Sequence, residues 1–81
     1  MEKKIGTITI LISNREAARQ INDILADHGR IILARQGLPF RESQTAVISL
    51  IVQGTSDEVN ALTGRLGRLR DVVCKAVLIK S

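Results

Sequence analysis

Aromatic residues are nearly missing from this chain: it has no tryptophan and no tyrosine, and Phe40 is its one phenylalanine. Recognition of single-stranded nucleic acid by stacking needs several aromatic platforms, so that class of binder is excluded at the outset. The core must be aliphatic, and with 44% hydrophobic residues there is enough Ile, Leu and Val to exclude disorder. Cysteine occurs once, at Cys74. That excludes an internal disulfide and any CxxC metal or redox motif, and it fits a reducing cytoplasm, the expected location. No apolar run approaches the roughly 18 residues of a membrane span. The start, Met1-Glu-Lys-Lys-Ile-Gly6, has basic residues without the long apolar stretch and small-residue cleavage site of a leader, so no membrane association is expected.

Charge of one sign is in excess. The formal net charge is +4 and the pI near 10.0, which raises nucleic acid as a partner. The distribution argues against it. Lys3, Lys4, Arg15, Arg19, Arg30, Arg35, Arg41, Lys75 and Lys80 are dispersed, and the one dense set, Arg65, Arg68 and Arg70, falls at the end of a helical pattern. Cations there complement the helix dipole by roughly 0.3 to 1 kcal/mol each. A basic, nucleic-acid-associated transcriptional regulator using these three arginines is the alternative reading, separable by the salt dependence of any DNA binding. A structural assembly partner with no ligand is a third.

At 81 residues the chain reads as one domain spanning 1–81, a size that buries only roughly 60 to 65% of its unfolded surface and gains from oligomerisation. Its centre is Thr45 to Gln53, with Ala46, Ile48, Leu50 and Val52 pointing one way and Val47, Ser49 and Ile51 the other. A half-wet strand would place charges on one of those sets, so this strand is covered on both faces. Ile5 to Ile12 alternates in the same manner, with Ile8, Ile10 and Ile12 opposite Thr7, Thr9 and Leu11. Ser13-Asn14-Arg15-Glu16 has the S-x-x-E spacing of a capping box and opens a first helix, whose inner face is Ala17, Ala18, Ile21, Ile24, Leu25 and His28. Gly29 supplies a left-handed residue to end it. Arg30 to Gln36 is a second strand, with Ile32 and Ala34 toward the helices and Ile31, Leu33 and Arg35 on the other face. Gly37 to Ser43 is a loop around Pro39. Thr55-Ser56-Asp57-Glu58 repeats the cap spacing and opens a second helix with Val59, Leu62 and Leu66 inward, stopped by Gly67. Gly64 inside it costs about 1 kcal/mol relative to alanine and suggests a close backbone approach or a functional need. Asp71 turns the chain into a last strand, Val72 to Ile79, with Val72, Cys74, Ala76 and Leu78 toward the helices.

The order is βαββαβ. Right-handed crossovers put strands one and three in the centre, strands two and four at the edges and both helices on one face, which is an α+β ferredoxin-like plait. Its open face would display Leu11, Leu33, Val47, Ile51, Val73 and Val77, with Thr7, Thr9, Ile31, Ser49 and Ile79, relieved by Arg35 and Lys75. Monomers rarely expose so large an apolar patch. Burying ~500 Å² of it per chain contributes on the order of 10 kcal/mol before association costs. A homo-oligomer, dimer or tetramer, is expected through this face.

The chemistry-bearing residues are few. His28 and Cys74 are the only soft metal ligands and cannot close a four-coordinate site in one chain, so neither a metal nor another cofactor is expected. No Ser-His-Asp or Cys-His constellation and no carboxylate pair in a cleft can be read, so the chain is not expected to be an enzyme. The remaining candidate is an anion site for a small effector: Arg35 and Arg41 flank a loop with Gly37 and Pro39, and in an oligomer that loop can approach the Ser13-Asn14-Arg15 helix start of a neighbour.

Three stretches carry a resemblance. Arg35-Gln-Gly-Leu-Pro-Phe-Arg-Glu42, Ala46-Val-Ile-Ser-Leu-Ile-Val52 and Asp57-Glu-Val-Asn-Ala-Leu-Thr-Gly-Arg-Leu-Gly67 resemble the iron-only hydrogenase system regulators, over nearly the whole chain. The Arg-x-Gly-x-Pro-x-Arg-Glu loop and the Ala-Leu-Thr-Gly-Arg-Leu-Gly helix are its most specific parts. That family is similar in fold to ACT domains and to the C-terminal domain of nickel-responsive repressors, both oligomeric effector-sensing modules. The resemblance implies an ACT-like regulatory module linked to hydrogenase maturation, acting through an effector or a protein partner. The first strand beginning by Ile5 leaves no ribbon-helix-helix segment before it, the histidine-rich ligand set of the repressors is lacking, and Ser13-Asn14-Arg15 departs from the glycine-containing turn of amino-acid-binding ACT domains.

Overall fold

The computed structural model describes residues 2–79; Lys80, counted above among the dispersed cations, lies outside them. In chain order the elements are β1 (Lys4–Ile12), a 3-10 turn (Arg15–Ala17) running into α1 (Ala18–Asp27), a second 3-10 turn (Gly29–Ile31), β2 (Ile32–Pro39), β3 (Ala46–Gly54), α2 (Ser56–Gly67) and β4 (Val72–Ile79). The strands form one sheet in the order β2-β3-β1-β4, every neighbouring pair antiparallel. This is the ferredoxin-like βαββαβ plait, with β1 and β3 central as expected.

Alternation on the central strands builds the core. Ile8, Ile10 and Ile12 of β1 and Ile48, Leu50 and Val52 of β3 face the helices, where they meet Ile21, Ile24 and Leu25 of α1 and Val59, Leu62 and Leu66 of α2. No polar side chain is buried among them. Gly6 has a clear steric reason that the sequence pattern does not announce. A Cβ there would sit 2.4 Å from the carbonyl oxygen of Val77 and 2.6 Å from the Leu78 side chain, so only glycine lets β4 close on β1. Asp71 takes the left-handed conformation, φ 63°, at the entry to β4, a backbone state that aspartate tolerates better than most residues.

The two helix starts differ. Thr55 caps α2 with the full reciprocal box: its hydroxyl accepts from Glu58 N–H, and the Glu58 carboxylate accepts from Thr55 N–H at 2.8 Å. At the first junction Asn14, not Ser13, is the cap, and its Oδ1 accepts from Glu16 N–H at 3.0 Å. Ser13 is drawn away because its amide donates to the Asp71 carbonyl at 2.8 Å, tying the end of β1 to the start of β4.

Other expectations change as well. Gly29 is not left-handed, since no glycine among the described residues has positive φ, and α1 passes through His28 into a 3-10 turn instead. Gly64 has no close neighbour: a Cβ would meet nothing within 4 Å. The second strand starts later and runs further, through Pro39, which its edge position tolerates because a proline there need not donate to a neighbour. A bulge between Ile32 and Ala34 shifts its register, with Ile32 opposite Val52 and Ala34 opposite Ile51. Leu33 is the extra residue. Because faces alternate, that single insertion moves Ala34 to the open face and Arg35 to the helix face, the reverse of their expected sides. Ile31, expected on the open face, is buried in the core by the turn that precedes β2.

Candidate functional site

The open face is organised in cross-strand rows. Leu38, Val47, Leu11 and Val73 form one row across all four strands, and Ala34, Ile51, Thr7 and Val77 another. Between them runs a polar row, Gln36, Ser49, Thr9 and Lys75, and beyond the second apolar row Ile5 pairs with Ile79. Val77 is 62% exposed, Ile79 60%, Val73 55% and Ile51 45%. Of the residues expected here, Leu11, Val47, Ile51, Val73 and Val77 lie in the two apolar rows. Leu33 is exposed but sits at the bulge, and Leu38, expected in a loop, takes a place in the first row.

The five residues expected to gather an anion are divided. Arg15 donates to the Phe40 carbonyl of the same chain at 2.5 Å, so the approach expected from a neighbour is already made within one chain. Arg35 donates to Asn22 Oδ1 on α1 at 2.5 Å, which its bulge-induced change of face makes possible. These two line one groove, of about 350 Å³, between α1 and the helix face of β2 and β3. Arg41 does not join them. It lines an open depression at the other side of the β2–β3 turn, with Leu11, Phe40, Glu42 and Val47. Asn14 faces a third recess beside Arg70 and Asp71. Its side-chain oxygen and the Ser13 amide are both engaged within the chain, so neither presents the open helix start that an anion would use.

The groove comes from side-chain size. Its lining includes Ala18 of α1 and Gly37, Pro39 and Ala46 of the hairpin, small residues where the sheet would otherwise fill the space below the helix, with Ile12 and Ile48 beneath. The sequence carried these residues, but on three separate elements, and only the fold shows that their small sides meet.

Other polar groups have local partners. Arg65 Nη1 lies 3.1 Å from Asp27 Oδ2 and 3.2 Å from His28 Nε2, joining the ends of α1 and α2. Cys74 Sγ is 3.6 Å from the Thr63 carbonyl, and burial pushes its thiol above the ordinary range. The Thr55 amide, and then its hydroxyl, hold the Glu58 carboxyl below the usual glutamate value. Among the described residues no three of His, Cys, Asp and Glu come together as a metal site, and no helix is long and apolar enough to cross a membrane.

Comparison with known proteins gives one family match, "TM1266-like: Iron-only hydrogenase system regulator, putative", over residues 4–76. Comparison with curated proteins finds no match. Among solved structures, the uncharacterized protein TM1266 from Thermotoga maritima is 39% identical, with a TM-score of 0.93, covering 98% of this chain and 100% of that one. More distant are CutA1 from Oryza sativa, at 16% identity and TM-score 0.56 over 96% of this chain and 82% of that one, and CPII from Thiomonas intermedia K12, whose structure is bound to ADP, AMP and acetate, at 12% and 0.55 over 100% and 94%. These two share the fold alone. The family match over most of the chain and the end-to-end likeness to TM1266 agree, and the chain belongs to the TM1266-like family of iron-only hydrogenase system regulators.

Proposed function

We propose that this chain is a non-catalytic regulatory module of an iron-only hydrogenase system that works as a homo-oligomer assembled face to face through its sheet. The observation that carries the reading is the pair of rows on the open face, one apolar throughout from Leu38 to Val73 and one from Ala34 to Val77 that is apolar except for Thr7. Each row crosses the full sheet, and the chain's two helices are committed to the opposite face. A second sheet packed about 10 Å away would bury both rows. The polar row between them restricts how two copies align, because sliding one copy by a row would set Lys75 and Gln36 against aliphatic side chains without partners. In this reading the regulatory signal is a small anionic effector or a partner protein.

The test is made in cells that carry the hydrogenase system. Loss of the chain is expected to change hydrogenase activity, the parent to restore it, and Ile51→Asp to restore little of it at equal chain abundance. Unchanged activity without the chain would remove the regulatory role, and full restoration by Ile51→Asp would remove the assembly from it.

A further inference from the structure

We propose that the groove between α1 and the β2–β3 hairpin binds a small monocarboxylic acid with an apolar body, its carboxylate held by Arg15 and Arg35. Calling that acid an effector rests on the regulatory reading above; the binding itself does not. The groove, about 350 Å³, lies at the lower end of the roughly 300 to 1,000 Å³ of ligand pockets. Its floor and wall are carbon, from Ala18, Gly37, Pro39 and Ala46, and its two charged groups have the same sign. Neither guanidinium has a carboxylate partner among the described residues. Arg15 gives one N–H to the Phe40 carbonyl and Arg35 one to Asn22 Oδ1, both neutral acceptors, which leaves N–H groups of each fork to be satisfied. A carboxylate matches such a fork in shape and charge, and an aliphatic or aromatic tail matches the trough.

Gly37 supplies an independent observation. It lies in β2 opposite Ile48, on the helix face, where a residue without a side chain costs roughly 0.5 to 1 kcal/mol relative to alanine. The fold does not need it. Its φ is not positive, and an added Cβ would meet nothing within 4 Å, in contrast to Gly6 on the same sheet. What the missing side chain preserves is the depth of the groove. Every residue of the site comes from one chain, so binding does not require assembly.

The experiment follows the backbone amide signals of Ala18, Gly37 and Ala46 by heteronuclear NMR during titration with hexanoate and with phenylacetate, using hexanamide and inorganic phosphate as controls. At least one of the acids is expected to shift these three signals saturably, with hexanamide and phosphate at least about tenfold weaker, the ratio expected when a charge-assisted pair is lost. Gly37→Val is expected to keep the parent's circular dichroism, with a thermal midpoint no lower than the parent's, while abolishing the shifts at Ala18 and Ala46, and Arg35→Ala to weaken binding about tenfold. Should Gly37→Val not fold, Ala18→Leu fills the groove from the helix side and is expected to act alike. The Ile51→Asp variant is expected to bind as the parent does, which keeps a failure of the site distinct from a failure of the assembly. No saturable shift with either acid, equal binding by hexanamide or phosphate, or full binding by a folded groove-filling variant would overturn the proposal.

Discussion

The two faces of the sheet are built from the same strands and differ by one residue in register, yet they meet different surroundings. On the helix face Ile8, Ile10, Leu50 and Val52 are fully buried by the chain's own helices. On the other face Ile51, Val73 and Val77 carry similar side chains and are left about half exposed, with no helix packed over them. Aliphatic composition therefore does not separate a core position from an interface position here; what separates them is which face the two helices take. The helix face is complete within 81 residues. The open face is a hydrophobic surface that needs a second molecule to become comparable.

Truncation on either side of that boundary gives the largest contrast. Leu50→Ala, at a site with no exposure, is expected to cost about 3 kcal/mol in urea unfolding, within the range for buried leucines. Ile51→Ala, compared in a Val77→Asp background that is expected to hold the chain as a single copy, is expected to change stability by under ~0.5 kcal/mol. Equal losses would mean that the open face packs against something in the same chain.

The glycines sharpen the same point at smaller size. Gly6→Ala drives a methyl into the Val77 carbonyl, and the edge pairing of β4 has to shift, at about 2 kcal/mol. Gly64→Ala has open space around it and a helical backbone, and is expected to stabilise by about 1 kcal/mol. Thermal midpoints that move in opposite directions check both at once.

The cap of α2 is expected to matter less than the core. Thr55→Ala removes the hydroxyl that accepts from Glu58 N–H, at about 1 kcal/mol. Folding lowers the Glu58 pKa, so the stability tied to its ionised form is present in full above the ordinary glutamate value and is lost as pH falls through the folded value. Between about pH 6 and pH 3 the parent is therefore expected to lose more stability than Glu58→Gln. Parallel acid curves would show that the carboxylate's bond to the Thr55 amide contributes nothing in solution.

Much of the fold was legible in the residues, because the period-2 pattern of β1, β3 and β4 and the box at Thr55 are local signals with one reading each. The candidate site was legible only in part. Arg15 and Arg35 stood out by charge, but the insertion at Leu33 decides which face Arg35 takes, and no local propensity announces a one-residue bulge in an edge strand. Ser13 had the better cap spacing and lost to Asn14 because its amide is held by Asp71, 58 positions away in sequence, a tertiary constraint outside the local pattern. Glycine was ambiguous in both directions: Gly6 looked like any strand residue and is the one that sterics require, while Gly64 looked constrained and is free.

The contrast between the two faces turns on the proposed role of the open face as an interface between copies of this chain. Sedimentation velocity on the parent and on Ile51→Asp, over a dilution series at physiological salt, measures it directly. The parent is expected at no less than twice the 8.9 kDa chain mass, retained on dilution to micromolar concentration, and the variant is expected folded at the single-chain mass. A parent already at the single-chain mass, or a variant that assembles as the parent does, would contradict it.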